Sequence, residues 1–479
     1  MLLSLTRTAA ASAKEVGGMA GSLFATSDRI ARTLHRAEPM ATLYSRRVLT
    51  PQGLRPAAVV LDGSRIAAVL DAPSGPAQDL GDAVLMPGLI DSHVHVNEPG
   101  RTAWEGFETA TQAAAAGGVT TMVDMPLNAS PVTTSLDALH QKLAVAADKL
   151  WVDCGFWGGV VPGNAPELAA MAAAGVMGFK CFLCHSGIDD FPNVTRRDLT
   201  AAMPILRDAG VPLLVHAELE QPITEALTDA DPRAYLSYLH SRPRAFEDAA
   251  VAMVIALVEE TGCPAHIVHL SSATALPLIA AAKARGLPLT VETCPHYLCL
   301  TAEEIPDGAT QFKCAPPIRP SRNREALWGG LLDGTIDLVV SDHSPCIPGL
   351  KLLDTGDFLS AWGGIASLQL GLSSIWTEAS RRGASIAQVS RWMTTAPAAL
   401  LGLTDRGSIS PGMRADLVAW QPQTPITITA EQILHRHKLT PYLGHTQQGA
   451  ITDTWVGGSA VVAAGQLQEP AGHILRRTP

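Results

Sequence analysis

The sequence predicts a (β/α)8, or TIM, barrel combined with a small β-sandwich formed by segments from both ends of the chain. Short apolar strands alternate with amphipathic helical segments through the middle of the chain, and β-rich segments without a helical period lie on either side. Candidate metal ligands follow the strands, at the ends where barrel enzymes carry their sites. A doubly wound sheet is the alternative, but it would not need eight strands, and no G-x-G-x-x-G begins a helix here.

The alternation of strands and helices defines the predicted barrel, which covers residues 87–405. The candidate strands are 89–96, 120–124, 154–158, 178–182, 212–216, 265–269, 289–293 and 338–341. Helical segments lie between them, among them 136–147, 165–174, 245–261 and 273–284.

The two ends of the chain are predicted to build the sandwich from residues 41–86 and 406–479. Their candidate strands are 43–48, 57–61, 66–70, 415–420 and 451–462. Residues 1–40 form an extension rich in Ala, Ser, Thr and Arg, and three explanations of it stay open: a targeting segment, a disordered tail, or a start codon placed too far upstream.

Composition excludes several classes of protein. Apolar residues make up 47% of the 479 residues, enough for a large core, and the net charge of −10 argues against a nucleic-acid partner. No apolar run approaches the ~20 residues that span a membrane. The 8 scattered cysteines indicate reduced thiols and a cytoplasmic protein, with organelle targeting by residues 1–40 left open. Cys181 and Cys184 form a C-x-x-C without a second such pair, so we interpret them as small residues of a strand and its loop rather than zinc ligands.

Polar residues able to bind metal recur at the same end of separate barrel strands. They are His93 and His95 in the first strand, Lys180 in the fourth, His216 in the fifth, His269 in the sixth, and Asp342 after the eighth. His93 and His95 point the same way because residues two apart in a strand share a face. Taken singly, Lys180 would be a surface lysine and Asp342 a helix cap beside Ser344. Together, the six residues predict a metal site.

Lys180 is the unusual member of this set, because an ammonium would repel metal ions. Burial lowers the pKa of a lysine and leaves a nucleophilic amine. If the amine of Lys180 reacts with carbon dioxide, the resulting carbamate is an anion whose two oxygens can bridge two metals.

The segment Pro-Gly-Leu-Ile-Asp-Ser-His-Val-His, which ends at His95, resembles the opening signature of the amidohydrolase superfamily. The branch is that of dihydroorotase, dihydropyrimidinase and allantoinase, and the resemblance extends from Ala41 to about Val462. It implies a barrel with a discontinuous sandwich, an oligomer that is commonly a tetramer, and two divalent metals bridged by carboxylated Lys180. Chemistry favours Zn²⁺, with Mn²⁺, Co²⁺ and Fe²⁺ as alternatives.

The same resemblance implies a role for each candidate ligand. His93, His95 and Asp342 bind one metal, and His216 and His269 bind the other, with Asp342 also the catalytic acid and base. His269 is preferred to its strand neighbour His266 because the family ligand directly precedes a Leu-Ser-Ser turn, found here at 270–272.

Further motifs resemble the allantoinase family in particular. They are the segments 97–107, 178–183, 292–298, 313–319, 341–346, 361–365 and 435–441. Dihydroorotases are expected to hold the substrate carboxylate with an Arg where this chain has Asn97, and the neutral ureido group of allantoin needs no such cation. The resemblance therefore implies hydrolysis of allantoin to allantoate in ureide catabolism, with Asn97, Cys294, Pro317 and Gly364 as tentative substrate contacts.

Three alternatives remain at this point. The first is another enzyme of the branch, a hydantoinase, dihydropyrimidinase or dihydroorotase. The second is a non-catalytic barrel scaffold, and the third is a module that binds a purine breakdown product without turnover. The intact ligand set disfavours the last two. His185 stands where dihydropyrimidinases carry a Tyr that is thought to stabilise the oxyanion, and we interpret it as a loop residue.

Overall fold

The first strands of the chain belong to a mixed sheet outside the barrel. The computed structural model describes residues 41–220 and 230–477, so the extension 1–40 lies outside the described residues. The sheet begins with β1 (Ala41–Thr50), β2 (Gly53–Asp62), β3 (Arg65–Leu70), β4 (Gln78–Asp79) and β5 (Val84–Pro87).

Eight parallel strands then form the barrel, as predicted. They are β6 (Leu89–Val94), β7 (Val119–Asp124), β8 (Asp153–Phe156) with its continuation β9 (Gly158–Gly159), β10 (Phe179–Phe182), β11 (Leu213–His216), β12 (Ala265–Ile267), β13 (Leu289–Thr293) and β14 (Leu338–Val339). A parallel bridge between Val94 and His343 brings the first and last strands together. Strands such as β10 and β11 are buried at every position, which is why their sequences are apolar on both faces.

Helices cover the barrel strands and fill the connections. They are α1 (Phe107–Ala116), α2 (Leu136–Ala146), α3 (Ala165–Ala173), α4 (Arg196–Asp208), α5 (Tyr235–Ser241), α6 (Arg244–Thr261), α7 (Leu276–Ala284), α8 (Pro295–Cys299), α9 (Ser321–Asp333), α10 (Gly371–Arg381), α11 (Ile386–Ser390) and α12 (Ala396–Leu401). α7 starts later than predicted because Pro277 fits only the first turn of a helix, and Ala273–Ala275 form a 3₁₀ turn before it. None of the described helices combines the length and the apolar character needed to cross a membrane.

The mixed sheet is completed by β15 (Leu417–Thr427), β16 (Thr446–Val456), β17 (Ser459–Ala463) and β18 (Gln466–Leu467). β5 and β15 pair antiparallel and so join the two ends of the chain, as predicted. Alternate side chains along these strands pack in two different hydrophobic cores. Val84 and Val418 pack in the core of the barrel, whereas Leu85 and Leu417 pack in a separate core inside the sheet.

The prediction of one strand over 451–462 is wrong. β16 and β17 are two antiparallel strands, and Val456 pairs with Ser459 across the turn. Gly457 and Gly458 form that turn with φ values of 52° and 79°. A two-residue hairpin needs positive φ at such positions, and glycine adopts it without a steric penalty.

Candidate active site

A cavity lies at the C-terminal ends of the barrel strands. Its lining residues are His93, His95, Leu127, Asn128, Lys180, Phe182, Ser186, His216, His269, Ala315, Asp342, Ser344, Trp362, Gly363 and Gly364. All six residues proposed as metal ligands from the sequence are therefore on one cavity, although they come from five different strands.

His93, His95 and Asp342 form the first group of ligand atoms. One ligand atom of each lies within 4.8 Å of those of the other two. Asp342 Oδ1 is 3.2 Å from Nε2 of His93 and 3.6 Å from Nε2 of His95. The hydroxyl of Ser344 donates to the same oxygen at 2.9 Å and orients the carboxylate. Burial raises the pKa of Asp342, a shift suited to a group that takes up and releases protons.

His216 and His269 form a second group. Nδ1 of His216 lies 2.9 Å from Nε2 of His269. Burial lowers the pKa of His216 to about 4 and that of His269 well below its usual value, so both rings are neutral at neutral pH. Burial also lowers the pKa of His95 in the same way. Neutral imidazoles present the lone pair that divalent transition metals bind.

Lys180 lies on the same cavity, in β10. The residue is 1% exposed, and among the described residues its Nζ has no hydrogen-bond partner. Burial lowers the pKa of Lys180 to about 8. An unpartnered buried amine is costly unless a further group satisfies it. The donor set is therefore of the kind that accommodates two divalent ions.

Two buried carboxylates hold the histidines from behind, and sequence reasoning missed both. Glu292 accepts from Nδ1 of His93 at 2.5 Å and from Nε2 of His266 at 2.9 Å. His266 is thus a partner of Glu292 and does not line the cavity described above. The available signal was a charged residue, Glu292, inside a largely apolar strand, because a charge buried in such a strand needs a partner.

Glu218 plays the corresponding part beside the second group. Its Oε2 lies 2.8 Å from Nε2 of His216, and its Oε1 accepts from Nε of Arg242 at 3.1 Å. This arrangement directs Nδ1 of His216 towards His269. Cys181 lies buried in β10 and Cys184 follows that strand, where its Sγ and one ligand atom each of His216 and Glu218 lie within 4.8 Å of one another.

Of the four tentative substrate contacts, the structure places one in the lining of the cavity. Gly364 lines the cavity, whereas Asn97, Cys294 and Pro317 are absent from the lining formed by the described residues. Asn97 is fully buried and donates to the carbonyl of Pro345. The carbonyl of Pro317 accepts from another side chain, the hydroxyl of Ser271.

Other lining residues were not found from the sequence. Asn128 approaches His95, with 3.4 Å between Nδ2 and Nδ1, and Trp362 and Gly363 form part of the wall next to Gly364. They lie in loops of irregular structure, for which periodicity carries no signal. His185 points to Asp189 at 3.4 Å on the surface, as its interpretation as a loop residue implies.

Comparison with known proteins identifies the family of this chain. The model of the amidohydrolase family matches residues 84–461. This chain belongs to the amidohydrolase family. Among members of this family, the allantoinase of Streptomyces avermitilis is 50% identical over 442 residues, which cover 91% of this chain and 98% of the relative. A mitochondrial allantoinase of Aquarana catesbeiana is 51% identical over 371 residues, covering 76% of each chain.

Solved structures of the amidohydrolase family agree in fold. The L-hydantoinase (dihydropyrimidinase) from Arthrobacter aurescens superposes with a TM-score of 0.85 at 29% sequence identity, covering 91% of this chain and 99% of that structure. Membership of the family implies a binuclear metal centre, and His93, His95 and Asp342 form one group of possible ligand atoms.

Proposed function

We propose that this chain is an allantoinase, which hydrolyses the cyclic amide of allantoin to allantoate. The observation that carries the proposal is the convergence on one cavity of neutral histidines, the unpartnered amine of Lys180 and the carboxylate of Asp342. Identity of 50% to an allantoinase along nearly its whole length supports allantoin as the substrate.

The metal centre is assigned as follows. His93, His95 and Asp342 would hold one ion, and His216 and His269 would hold the other, with Zn²⁺ preferred to Mn²⁺, Co²⁺ or Fe²⁺. Carboxylated Lys180 would supply a further anionic ligand. The unpartnered Nζ of Lys180 and its lowered pKa support this step, because only the neutral amine forms a carbamate.

The protein side of the reaction depends on Asp342. Two bound divalent ions supply an acidified water and polarise the ring carbonyl. Asp342 accepts the proton of the attacking water at its carboxylate and returns it to the departing ring nitrogen. Ser344 fixes the position of the carboxylate through its hydrogen bond to Oδ1.

The proposed roles of the four substrate contacts follow from their positions relative to the cavity lining. Gly364 contacts the ring directly as part of the cavity lining. Asn97, Cys294 and Pro317 shape the site from behind that lining. Cys294 supports this role, since one ligand atom each of Cys294, His296 and Asp342 lie within 4.8 Å of one another.

A hydantoinase is the second candidate, because the L-hydantoinase of Arthrobacter aurescens shares the fold at a TM-score of 0.85. A substrate panel separates the two. The purified full-length chain is reconstituted with zinc or manganese plus bicarbonate and offered allantoin, hydantoin, dihydrouracil and dihydroorotate. Turnover of allantoin that a chelator abolishes supports the proposal. Turnover of hydantoin without allantoin transfers the assignment to the second candidate, and no turnover by the metal-loaded protein favours a scaffold.

Organisation, assembly and location complete the proposal. Residues 41–86 form the first part of the sandwich, 406–479 supply its second part and a C-terminal tail, 87–405 form the catalytic barrel, and 1–40 precede them. The protein is a homotetramer, which light scattering tests. It acts in the cytoplasm, and the alternative is an organelle reached through residues 1–40, as the name of the mitochondrial relative suggests. Imaging of the full chain and of a chain that starts at Met40 distinguishes the two locations.

A further inference from the structure

The cavity wall formed by residues 362–364, here called the Trp362–Gly364 wall, belongs to neither a helix nor a strand. Trp362, Gly363 and Gly364 all line the cavity, so the exact path of this backbone determines the space left for a substrate. A Cβ atom placed on Gly364 would lie 2.3 Å from the carbonyl oxygen of Ser344, at a φ of 153°. The wall is therefore packed closely against the loop that follows Asp342.

Lys351 holds this wall by its carbonyl groups. Its Nζ donates to the carbonyl of Trp362 at 3.0 Å, to that of Lys313 at 3.1 Å, and to that of Gly364. All three acceptors are backbone oxygens, and the side chain of Lys351 is buried. An irregular segment has no ladder to satisfy its carbonyls, and this ammonium takes the place of one.

Lys313 extends the same support. Its Nζ donates to the carbonyl of Leu359 at 3.0 Å and to that of Ala361 at 2.6 Å, and its own carbonyl accepts from the amide of Gly364 at 2.8 Å. Lys313 is buried as well. The backbone between 359 and 364 is thus attached to two ammonium groups, neither of which belongs to a residue of the cavity lining.

Burying two ammonium groups among carbonyls carries a desolvation penalty. Burial lowers the pKa of both Lys351 and Lys313 to about 8, which shows the cost of taking these charges out of water. Neutral donors would hold a purely structural loop without this desolvation penalty. The penalty is understandable where the position of the loop matters to function, as it does beside a substrate.

We propose that Lys351 and Lys313 are positioning residues that hold the Trp362–Gly364 wall in place and thereby set the preference of the site for one cyclic amide over another. Neither lysine lines the described cavity, so they act through the backbone of the wall. The inference rests on the proposed function, which names allantoin as the preferred ring. The positioning role of the two lysines is the same for any other cyclic amide that the site prefers.

The test removes the ammonium of Lys351 while keeping its apolar stem, in Lys351→Met. The matched control is Lys283→Met, because Lys283 also donates to a carbonyl, that of Thr335 at 2.9 Å, but on the strand ends away from the site. We measure kcat and KM for allantoin and hydantoin, metal content, and thermal stability of the holoenzyme. A second variant, Lys313→Met, carries the test if Lys351→Met does not fold.

The expected result for Lys351→Met is a KM for allantoin raised about tenfold, with kcat within about threefold of wild type and metal content unchanged. The ratio of kcat/KM between allantoin and hydantoin falls, whereas Lys283→Met leaves it unchanged. An equal loss on both rings, a loss confined to kcat, or loss of metal would overturn the inference. Failure of the proposed function is seen separately, in wild type that does not turn over allantoin, and the preferred ring then replaces it in the same comparison.

Discussion

Oε1 of Glu292 lies 2.5 Å from Nδ1 of His93, and both side chains are almost completely buried. Since a carboxylate accepts, Nδ1 of His93 carries the proton and Nε2 is left free to face Asp342. The second oxygen of Glu292 is occupied by His266 at 2.9 Å. One carboxylate thus fixes the tautomer of a histidine that we propose as a metal ligand and is itself held in place, an arrangement that tunes many metal sites.

Glu292→Gln is therefore expected to weaken metal binding. An amide has only one accepting end, so it cannot accept from both His93 and His266, and one of the two rings must turn or change its tautomer. Metal affinity should fall by about 10–100-fold with the fold retained. Competition with a chromogenic chelator measures it. Glu303→Gln, at an exposed position, is the control, and equal affinities in the two variants would contradict the role of Glu292.

Asp342→Asn tests the proposed acid and base. The amide keeps the shape of the side chain and its contact with Ser344, but it cannot take up the proton of the attacking water. We expect kcat to fall by about 10²–10⁴-fold. Metal content is measured in parallel, because loss of an ion would also abolish turnover. Asp333→Asn, on the surface, should be unaffected, and near-normal kcat in Asp342→Asn would remove the carboxylate from the mechanism.

Most of the barrel could be predicted because its strands have a clear sequence pattern. Strands such as β11, with the sequence Leu-Leu-Val-His, are short buried apolar runs, and the hydrophobic effect leaves few other places for them. The single strand predicted over 451–462 failed because apolar character continues across Gly457 and Gly458. Only their backbone conformation shows that the chain reverses there.

The candidate ligands could be predicted for a similar reason, since strand ends fix where a side chain points. The residues behind them could not. Glu218 follows β11 and Glu292 lies in β13, and nothing local distinguishes them from a buried ion pair until the fold brings His216 and His93 to them. The Trp362–Gly364 wall was harder still to predict, because the carbonyl of Trp362 is held by Lys351 in a loop without periodicity.

Lys180 offers a test that does not depend on turnover. Its amine is unpartnered among the described residues, whereas the equally buried Lys142 lies 2.5 Å from a carboxylate oxygen of Asp124. We expect holoenzyme prepared with carbon-13 bicarbonate to show one carbamate resonance. Lys180→Met should lose it, and Lys149→Met, at a half-exposed position, should keep it. A resonance that survives in Lys180→Met would place the carbamate elsewhere, and none in wild type would remove the carboxylated lysine.

His435 should make the protein less stable in acid. Both of its ring nitrogens lack a partner among the described residues, and burial lowers its pKa to about 3. In the unfolded chain a histidine titrates near about 6.5, so between these values the unfolded state binds more protons than the native state. Lowering the pH through this window therefore favours unfolding, and the stability that the neutral ring contributes is fully present only above it.

His435→Leu removes this titration and places an apolar side chain in the same buried position. The difference in unfolding free energy between wild type and His435→Leu should change by about 1.4 kcal/mol per pH unit below about 6, with wild type losing ground as the pH falls. Urea unfolding at equal free zinc measures it, because metal release then affects both proteins alike. His140→Leu, exposed on α2, should show no such slope. A pH-independent difference for His435→Leu would mean that the native protein takes up a proton on His435 as readily as the unfolded chain does.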